Sequence, residues 1–108
     1  AHGAGFELYS PQKVSIDVND QLELDLGIKI EFPVNCYGKI ESKLCMAKKN
    51  IQTFGGIIDN CSNITVLLRN VSNQKYEIKV GDTVGQLLIL PYLSLSIEEV
   101  NRVTPESN

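Results

Sequence analysis

Residues 14–32 read VSIDVNDQLELDLGIKIEF, and this stretch decides the fold class because its apolar side chains fall at every second position. The alternation runs on both sides of a turn at Asn19 and stops at Pro33, which cannot donate a hydrogen bond to a strand partner. A period of two is typical of half-buried β-strands, whose side chains point alternately to the two faces of a sheet. We therefore expect two neighbouring strands on either side of this turn, with the second continuing in one register to Phe32.

The same alternation recurs along the rest of the chain. Further short strands are expected, separated by turn residues, at 37–41, 57–58, 64–68, 76–80 and 84–90. The near-continuous apolar run at 84–90 predicts a strand that is buried on both faces, and a hairpin is expected between 57–58 and 64–68. A helical turn is expected only at 43–49. Many short strands without a long helix predict a compact all-β barrel or sandwich.

Length and composition restrict the possible functions. A chain of 108 residues fits one domain, which we assign to 1–103 with a frayed tail at 104–108, and so small a domain gains stability by burying more surface in an oligomer. The net charge of −3 argues against nucleic-acid binding. No apolar run approaches the ~20 residues that cross a bilayer, and no secretion signal is evident, so we expect a soluble intracellular protein without membrane partners.

Four short segments carry a more specific signal. In chain order they are AGFEL at 4–8, GKIESKLCMAKK at 38–49, GIID at 56–59 and GDTVGQL at 81–87. Each is common at turns when taken alone, but their order and spacing across residues 4–103 resemble the motifs of the trimeric dUTPase family. The resemblance implies an all-β fold, namely a dUTPase-like β-barrel or jelly-roll (β-clip) subunit of a homotrimer.

The same resemblance assigns candidate site residues. The family cleaves dUTP to dUMP and pyrophosphate with Mg²⁺ at subunit interfaces, so Asp59 would contact the deoxyribose and orient the attacking water. Glu7 would reach the metal through water, while Gly56, Lys43 and Gln86 would bind substrate. A carboxylate suits the role of general base, and a cation suits phosphate charge.

Each candidate also has a purely structural interpretation. Asp59 could be an ordinary turn aspartate, and Glu7 a solvated strand residue. Lys43 could be a plain surface lysine, and Gln86 could simply satisfy neighbouring backbone groups. These alternatives stay open at the level of sequence.

Several departures from the family pattern bear on activity. Glu7 replaces an aspartate, and Leu44 and Cys45 stand at the usual serine and glycine positions. The segment 59–63 is two residues short of the family hairpin and lacks its tyrosine. The sequence ends at Asn108 before the family's arginine- and glycine-rich arm, and whether the protein lacks this arm stays open.

We therefore expect a dUTPase-fold protein without dUTP hydrolysis, acting as a homotrimeric scaffold or protein-interaction module, with a viral origin by analogy. The alternatives are an active or weak dUTP diphosphatase, in which Asp59 orients the attacking water and Mg²⁺ is the cofactor, and a binder of another nucleotide. Without hydrolysis no cofactor is expected.

Overall fold

A computed structural model describes residues 5–58 and 63–93, together with residues 96, 98 and 100. Nearly all of the regular structure in these ranges is extended, with one short helix, α1, at Leu44–Ala47. The strands are β1 Gly5–Tyr9, β2 Val14–Ile16, β3 Gln21–Lys29, β4 Cys36–Glu41, β5 Ile51–Phe54, β6 Ile57–Ile58, β7 Asn63–Asn70, β8 Tyr76–Ile78 and β9 Thr83–Pro91. The all-β prediction and the helical turn at 43–49 are confirmed. The expected tail at 104–108 lies outside the described residues.

The strands form three antiparallel sheets, with the orders β1-β9-β4-β6, β2-β8 and β3-β7-β5. The alternating apolar residues of these strands meet in one core, whose fully buried hydrophobic members are Ile16, Leu24, Ile51, Ile64, Val66, Leu68, Ile78, Val84 and Leu87. Burying one such side chain contributes about 1.5–3 kcal/mol, so this shared core holds the sheets together. No helix in the described ranges is long and apolar enough to span a membrane.

The strands on the two sides of Asn19 are not paired with each other, so the expectation of neighbouring strands is wrong. β2 pairs with β8, whereas β3 pairs with β7. The turn between them is tied to the end of β7, because the Asn19 amide donates to the Asn70 carbonyl (2.9 Å) and the Asn70 amide donates to the Asp20 carbonyl (3.0 Å). A period of two predicts which face a side chain occupies, but it does not predict the partner strand.

The expected single register through Phe32 is also wrong. The pairing of β3 with β7 is shifted between Asp25 and Lys29, where Gly27 has a φ of 72°. The Asp25 carboxylate accepts a 2.8 Å hydrogen bond from the Gly27 amide, which stabilises this irregularity. Glycine adopts positive φ without steric cost, so the strand kinks here and leaves Ile28 44% exposed.

The hairpin expected between 57–58 and 64–68 is replaced by other pairings. β6 pairs with β4, and β7 lies between β3 and β5. The chain turns away at Gly55, where a Cβ atom would come within 2.5 Å of the Ile40 side chain, so only glycine allows this close approach. Strand β5 was not predicted, although its burial alternates, because only four residues carry the pattern.

Strand β9 lies between β1 and β4, and this central place organises the candidate site. Its first half is buried on both faces at Val84 and Gly85, as predicted. The second half is not, since Leu88, Ile89 and Leu90 are only partly buried. The prediction for 84–90 therefore holds for half of the strand.

Candidate active site

Strand pairing brings residues from three distant segments side by side. Glu7 on β1 lies opposite Gln86 on β9, and Gln86 lies opposite Glu41 at the end of β4. The chain leaves β4 through Ser42 and reaches Lys43, the extended residue that precedes α1. The Gln86 amide donates a long hydrogen bond of 3.4 Å to the Ser42 carbonyl, so Gln86 faces the segment that carries Lys43.

Glu7 and Lys43 form a close ion pair, with 2.7 Å between Lys43 Nζ and Glu7 Oε1. The other carboxylate oxygen, Oε2, accepts a hydrogen bond of 2.9 Å from the Tyr9 hydroxyl. The contact with Lys43, and after it the Tyr9 hydroxyl, holds the pKa of Glu7 below its ordinary value of 4.5. The same carboxylate raises the pKa of Lys43 and that of Tyr9. Glu7 is therefore ionised and Lys43 protonated at neutral pH.

A cavity of about 560 Å³ opens beside this pair. It is lined by Glu7, Lys43, Leu44, Cys45, Lys48 and Gln86. The lining offers one carboxylate, two ammonium groups and one amide, together with the apolar Leu44. Cations and an amide donor are the groups that bind phosphate oxygens, and a carboxylate is an oxygen ligand for a hard metal ion.

Hydrogen bonds of the buried Thr53 hold the wall of this cavity. The Thr53 hydroxyl on β5 donates to the Val84 carbonyl on β9 (3.0 Å), and the Thr53 amide donates to the Ser42 hydroxyl (2.9 Å). Thr53 thereby links the strand that carries Gln86 to the residue that precedes Lys43. Gly85 completes the close packing, because a Cβ atom there would lie 3.0 Å from the Thr53 methyl group.

One predicted site residue, Gly56, lies outside this cavity, and another, Asp59, lies outside the described residues. Gly56 has a φ of 64° and lines a separate cavity of about 380 Å³ with Phe54 and Thr65, among others. Its carbonyl accepts a 3.1 Å hydrogen bond from the Ile40 amide, so its described role is to turn the chain into β6. Asp59 lies outside the described residues, and its assignment stays a prediction.

The donor set is compatible with a magnesium ion held mainly by substrate. Among the residues that the structure describes, no group of three or more His, Cys, Asp or Glu could hold a metal ion on its own. Mg²⁺ often binds through one or two carboxylates, its own waters and substrate phosphates, so a dedicated protein cage is not required. Glu7 is an exposed oxygen donor at the cavity wall and fits an outer ligand of this kind.

Sequence reasoning missed three residues of the site. Tyr9 binds Glu7, the Ser42 carbonyl accepts from Gln86, and Lys48 lines the cavity. Tyr9 could have been found from its spacing, since side chains at i and i+2 of a strand share a face. For Lys48 the available signal was a second lysine within the predicted helical turn at 43–49.

Comparisons with known proteins identify the family of this chain. The profile of the family described as dUTPase matches residues 1–108. A human mitochondrial deoxyuridine 5'-triphosphate nucleotidohydrolase is 33% identical over 103 residues, which are 93% of this chain and 41% of the human protein.

Two solved structures show the same fold. The native EIAV dUTPase matches with a TM-score of 0.79 and 31% identity, covering 94% of this chain and 86% of the viral chain. A mutant dUTPase from phage phi11 of S. aureus, described for its coordination of a structural Mg(II) ion, matches with a TM-score of 0.80. It is 17% identical and covers 93% of this chain and 84% of the phage chain, so it bears on the fold alone.

These findings correct the expectation of an inactive scaffold or protein-interaction module. The human relative bears the name of a dUTP-hydrolysing enzyme, and the charged and amide groups of three motifs meet at one cavity despite Leu44 and Cys45. Because the similar proteins include both a human and a viral one, they do not support a viral origin. The chain spans 41–65% of the length of the first four curated relatives that it matches. Because the family profile covers the chain from end to end, we conclude that this protein belongs to the dUTPase family.

Proposed function

We propose that this chain is the core of a dUTP diphosphatase, which hydrolyses dUTP to dUMP and pyrophosphate. One observation carries the proposal: Glu7, Lys43 and Gln86 come from three separate motif segments and line the same cavity. Membership of the dUTPase family and the name of the human relative support the choice of substrate.

The residues have complementary roles in this reaction. Asp59 accepts a hydrogen bond from the attacking water and then its proton, while the water oxygen bonds to the phosphorus of the nucleoside monophosphate. The bond to the pyrophosphate oxygen breaks, and pyrophosphate leaves with the electron pair. Lys43 and the Gln86 amide bind the phosphate oxygens and stabilise the negative charge in the transition state. Gly56 shapes the turn that leads into β6 and on to Asp59.

We assign Glu7 a place beside the metal rather than at the phosphorus. Glu7 would hold Mg²⁺ through water, and the bound ion would supply neutralisation of phosphate charge. The ion pair with Lys43 keeps the Glu7 carboxylate ionised and fixed at the cavity wall. A homotrimer, in which neighbouring subunits complete each site, follows from the family resemblance. It is supported by partly buried apolar residues at Leu88–Leu90 that a neighbour could cover.

Pyrophosphate release from dUTP in the presence of Mg²⁺ tests the proposal directly. The full-length protein is compared with Asp59→Asn, which keeps the size of the side chain but removes the proton acceptor. We expect turnover by the unmodified protein and a loss of about 10²–10⁴-fold in kcat for the variant, the usual contribution of a general base. dCTP and dTTP serve as substrate controls. Turnover of another nucleotide in preference to dUTP would overturn the substrate assignment. Absence of turnover with every nucleotide would overturn the proposed enzymatic function.

A further inference from the structure

Lys48 is a charged residue of the cavity to which no motif assigns a role. The single helical turn α1 separates it from Lys43, which precedes the helix, whereas Lys48 caps the other end. The Lys48 amide donates to the Leu44 carbonyl (2.9 Å), so its backbone is fixed by the turn. Both lysines line the same cavity, one from each end of α1.

The two lysines differ in their charge partners. Lys43 is neutralised by Glu7 at 2.7 Å, whereas Lys48 forms no ion pair within 4.0 Å with any residue in the described ranges. Because the charges of Glu7 and Lys43 cancel each other, Lys48 supplies the net positive charge of the cavity lining. A triphosphate carries several negative charges and requires cations beyond one that already has a carboxylate partner.

The sequence around α1 indicates why such a cation is needed. Leu44 and Cys45 stand where the family resemblance places a hydroxyl and a glycine, so the usual contacts from this turn to phosphate are lost. A lysine ammonium is a point charge on a flexible stem and can follow a phosphate without a fixed geometry. Lys48 lies five residues after Lys43 and stands on the same wall.

We propose that Lys48 is a phosphate-binding residue that receives the pyrophosphate portion of the triphosphate. The identity of the nucleotide rests on the proposed function, whereas the affinity for polyphosphate rests on the cavity itself. The adjacent Lys49 is a matched control, because it has the same charge but lines a different cavity with Lys75 and Tyr76.

Steady-state kinetics of Lys48→Gln and Lys49→Gln in the full-length protein test the role in catalysis. Loss of one charge-assisted contact with the substrate should raise the KM for dUTP about tenfold in Lys48→Gln while kcat changes less than about threefold. Lys48→Arg should restore most of the affinity, and Lys49→Gln should match the unmodified protein. Product inhibition by dUMP, which lacks the pyrophosphate portion, should be similar in all four proteins.

Calorimetry with inorganic tripolyphosphate separates this inference from the proposed function, since it requires no turnover. We expect Lys48→Gln to bind tripolyphosphate about tenfold more weakly than Lys49→Gln. Weaker tripolyphosphate binding by Lys48→Gln, together with no turnover of dUTP by the unmodified protein, would support the phosphate site and contradict the proposed reaction. Normal turnover with equal KM and equal tripolyphosphate affinity in the two variants would overturn the role of Lys48, as would tripolyphosphate failing to bind at all.

Discussion

The Lys43 ammonium lies 2.7 Å from the Glu7 carboxylate, although the strands next to these residues, β1 and β4, are not neighbours in the sheet. Glu7 is on β1, Lys43 follows β4, and β9 lies between these strands. The ion pair therefore connects the two neighbours of β9 at the level of Gln86. Its formation depends on both pairings of β9 at once, which makes it a marker of the assembled site.

This ion pair should make stability depend on acid pH. Because the pKa of Glu7 is below its ordinary value of 4.5 in the folded protein, its contribution is fully present above that value and disappears as the pH falls through the lower folded pKa. Urea midpoints measured from pH 7 to pH 3 should fall less steeply for Glu7→Gln than for the unmodified protein. Glu77→Gln, on β8, is the control.

The contacts of Glu7 also predict which substitution changes the pKa of its carboxyl group more. Lys43 lowers its pKa more than Tyr9 does, so Lys43→Met should raise the pKa further than Tyr9→Phe. Carbon-13 NMR of the Glu7 side-chain carboxyl during an acid titration measures this directly. Equal pKa values in the two variants and the unmodified protein would contradict the observed contacts.

Asn70 should be essential to stability rather than to activity. Its fully buried side chain donates to the Ile16 and Gln74 carbonyls (3.0 and 2.8 Å) and accepts from the Ser72 amide and hydroxyl (2.9 and 2.6 Å). Asn70→Ala removes four hydrogen bonds, one of them to the buried Ile16 carbonyl, and should lower the free energy of unfolding by about 2 kcal/mol or more. Chemical denaturation measures the loss, and exposed Asn73→Ala should leave the midpoint nearly unchanged.

Gly38 on β4 should not tolerate a side chain. A Cβ atom there would lie 2.6 Å from Phe32 Cζ and 3.0 Å from Leu87 Cδ1, which forces one of them to move. Gly38→Ala should therefore destabilise the protein by about 1–3 kcal/mol, the usual cost of overpacking. Gly5→Ala, where the nearest atoms are 3.5 Å away, is the matched control for thermal denaturation. Partial recovery in a Gly38→Ala, Phe32→Leu double variant would identify Phe32 as the source of the clash.

Cys45 offers a chemical probe of the cavity. Its side chain is exposed and lines the cavity, whereas Cys36 is only partly exposed. Under the proposed function, alkylation by iodoacetamide should abolish turnover because it fills the cavity assigned to phosphate. Saturating dUTP with Mg²⁺ should slow this alkylation. Cys45→Ser should keep its activity and resist the reagent. Inactivation of Cys45→Ser at the same rate would place the sensitive thiol elsewhere.

The sequence predicted strands better than it predicted their partners. Alternation located β3 and β7 because it reports which face is buried, and burial of one face leaves a strong local pattern. The pairing of β2 with β8 depends on contacts between residues sixty or more positions apart, such as Val14 with Ile78, which no local pattern records. The short β5 carries too few residues to be distinguished from a loop.

For the candidate site, motif spacing led to Glu7, Lys43 and Gln86, and the structure brings these three together. Their mutual contacts could not be predicted, since the ion pair requires β9 to lie between β1 and β4. Tyr9 falls outside the motifs and Lys48 lies within one without an assigned role, so only the folded chain shows their proximity to the other groups.

Because β9 pairs with both β1 and β4, the composition of the cavity depends on the correct register of both pairings. A slip of one residue in either of its pairings would turn Gln86 to the opposite face and bring Leu87, now in the core, to the cavity. Such a mispaired molecule would lose part of its core and the Gln86 side chain from the cavity in the same event. Under the proposed function, activity per molecule would count the correctly assembled chains, and a preparation with misaligned strands would show fewer active sites rather than slower ones.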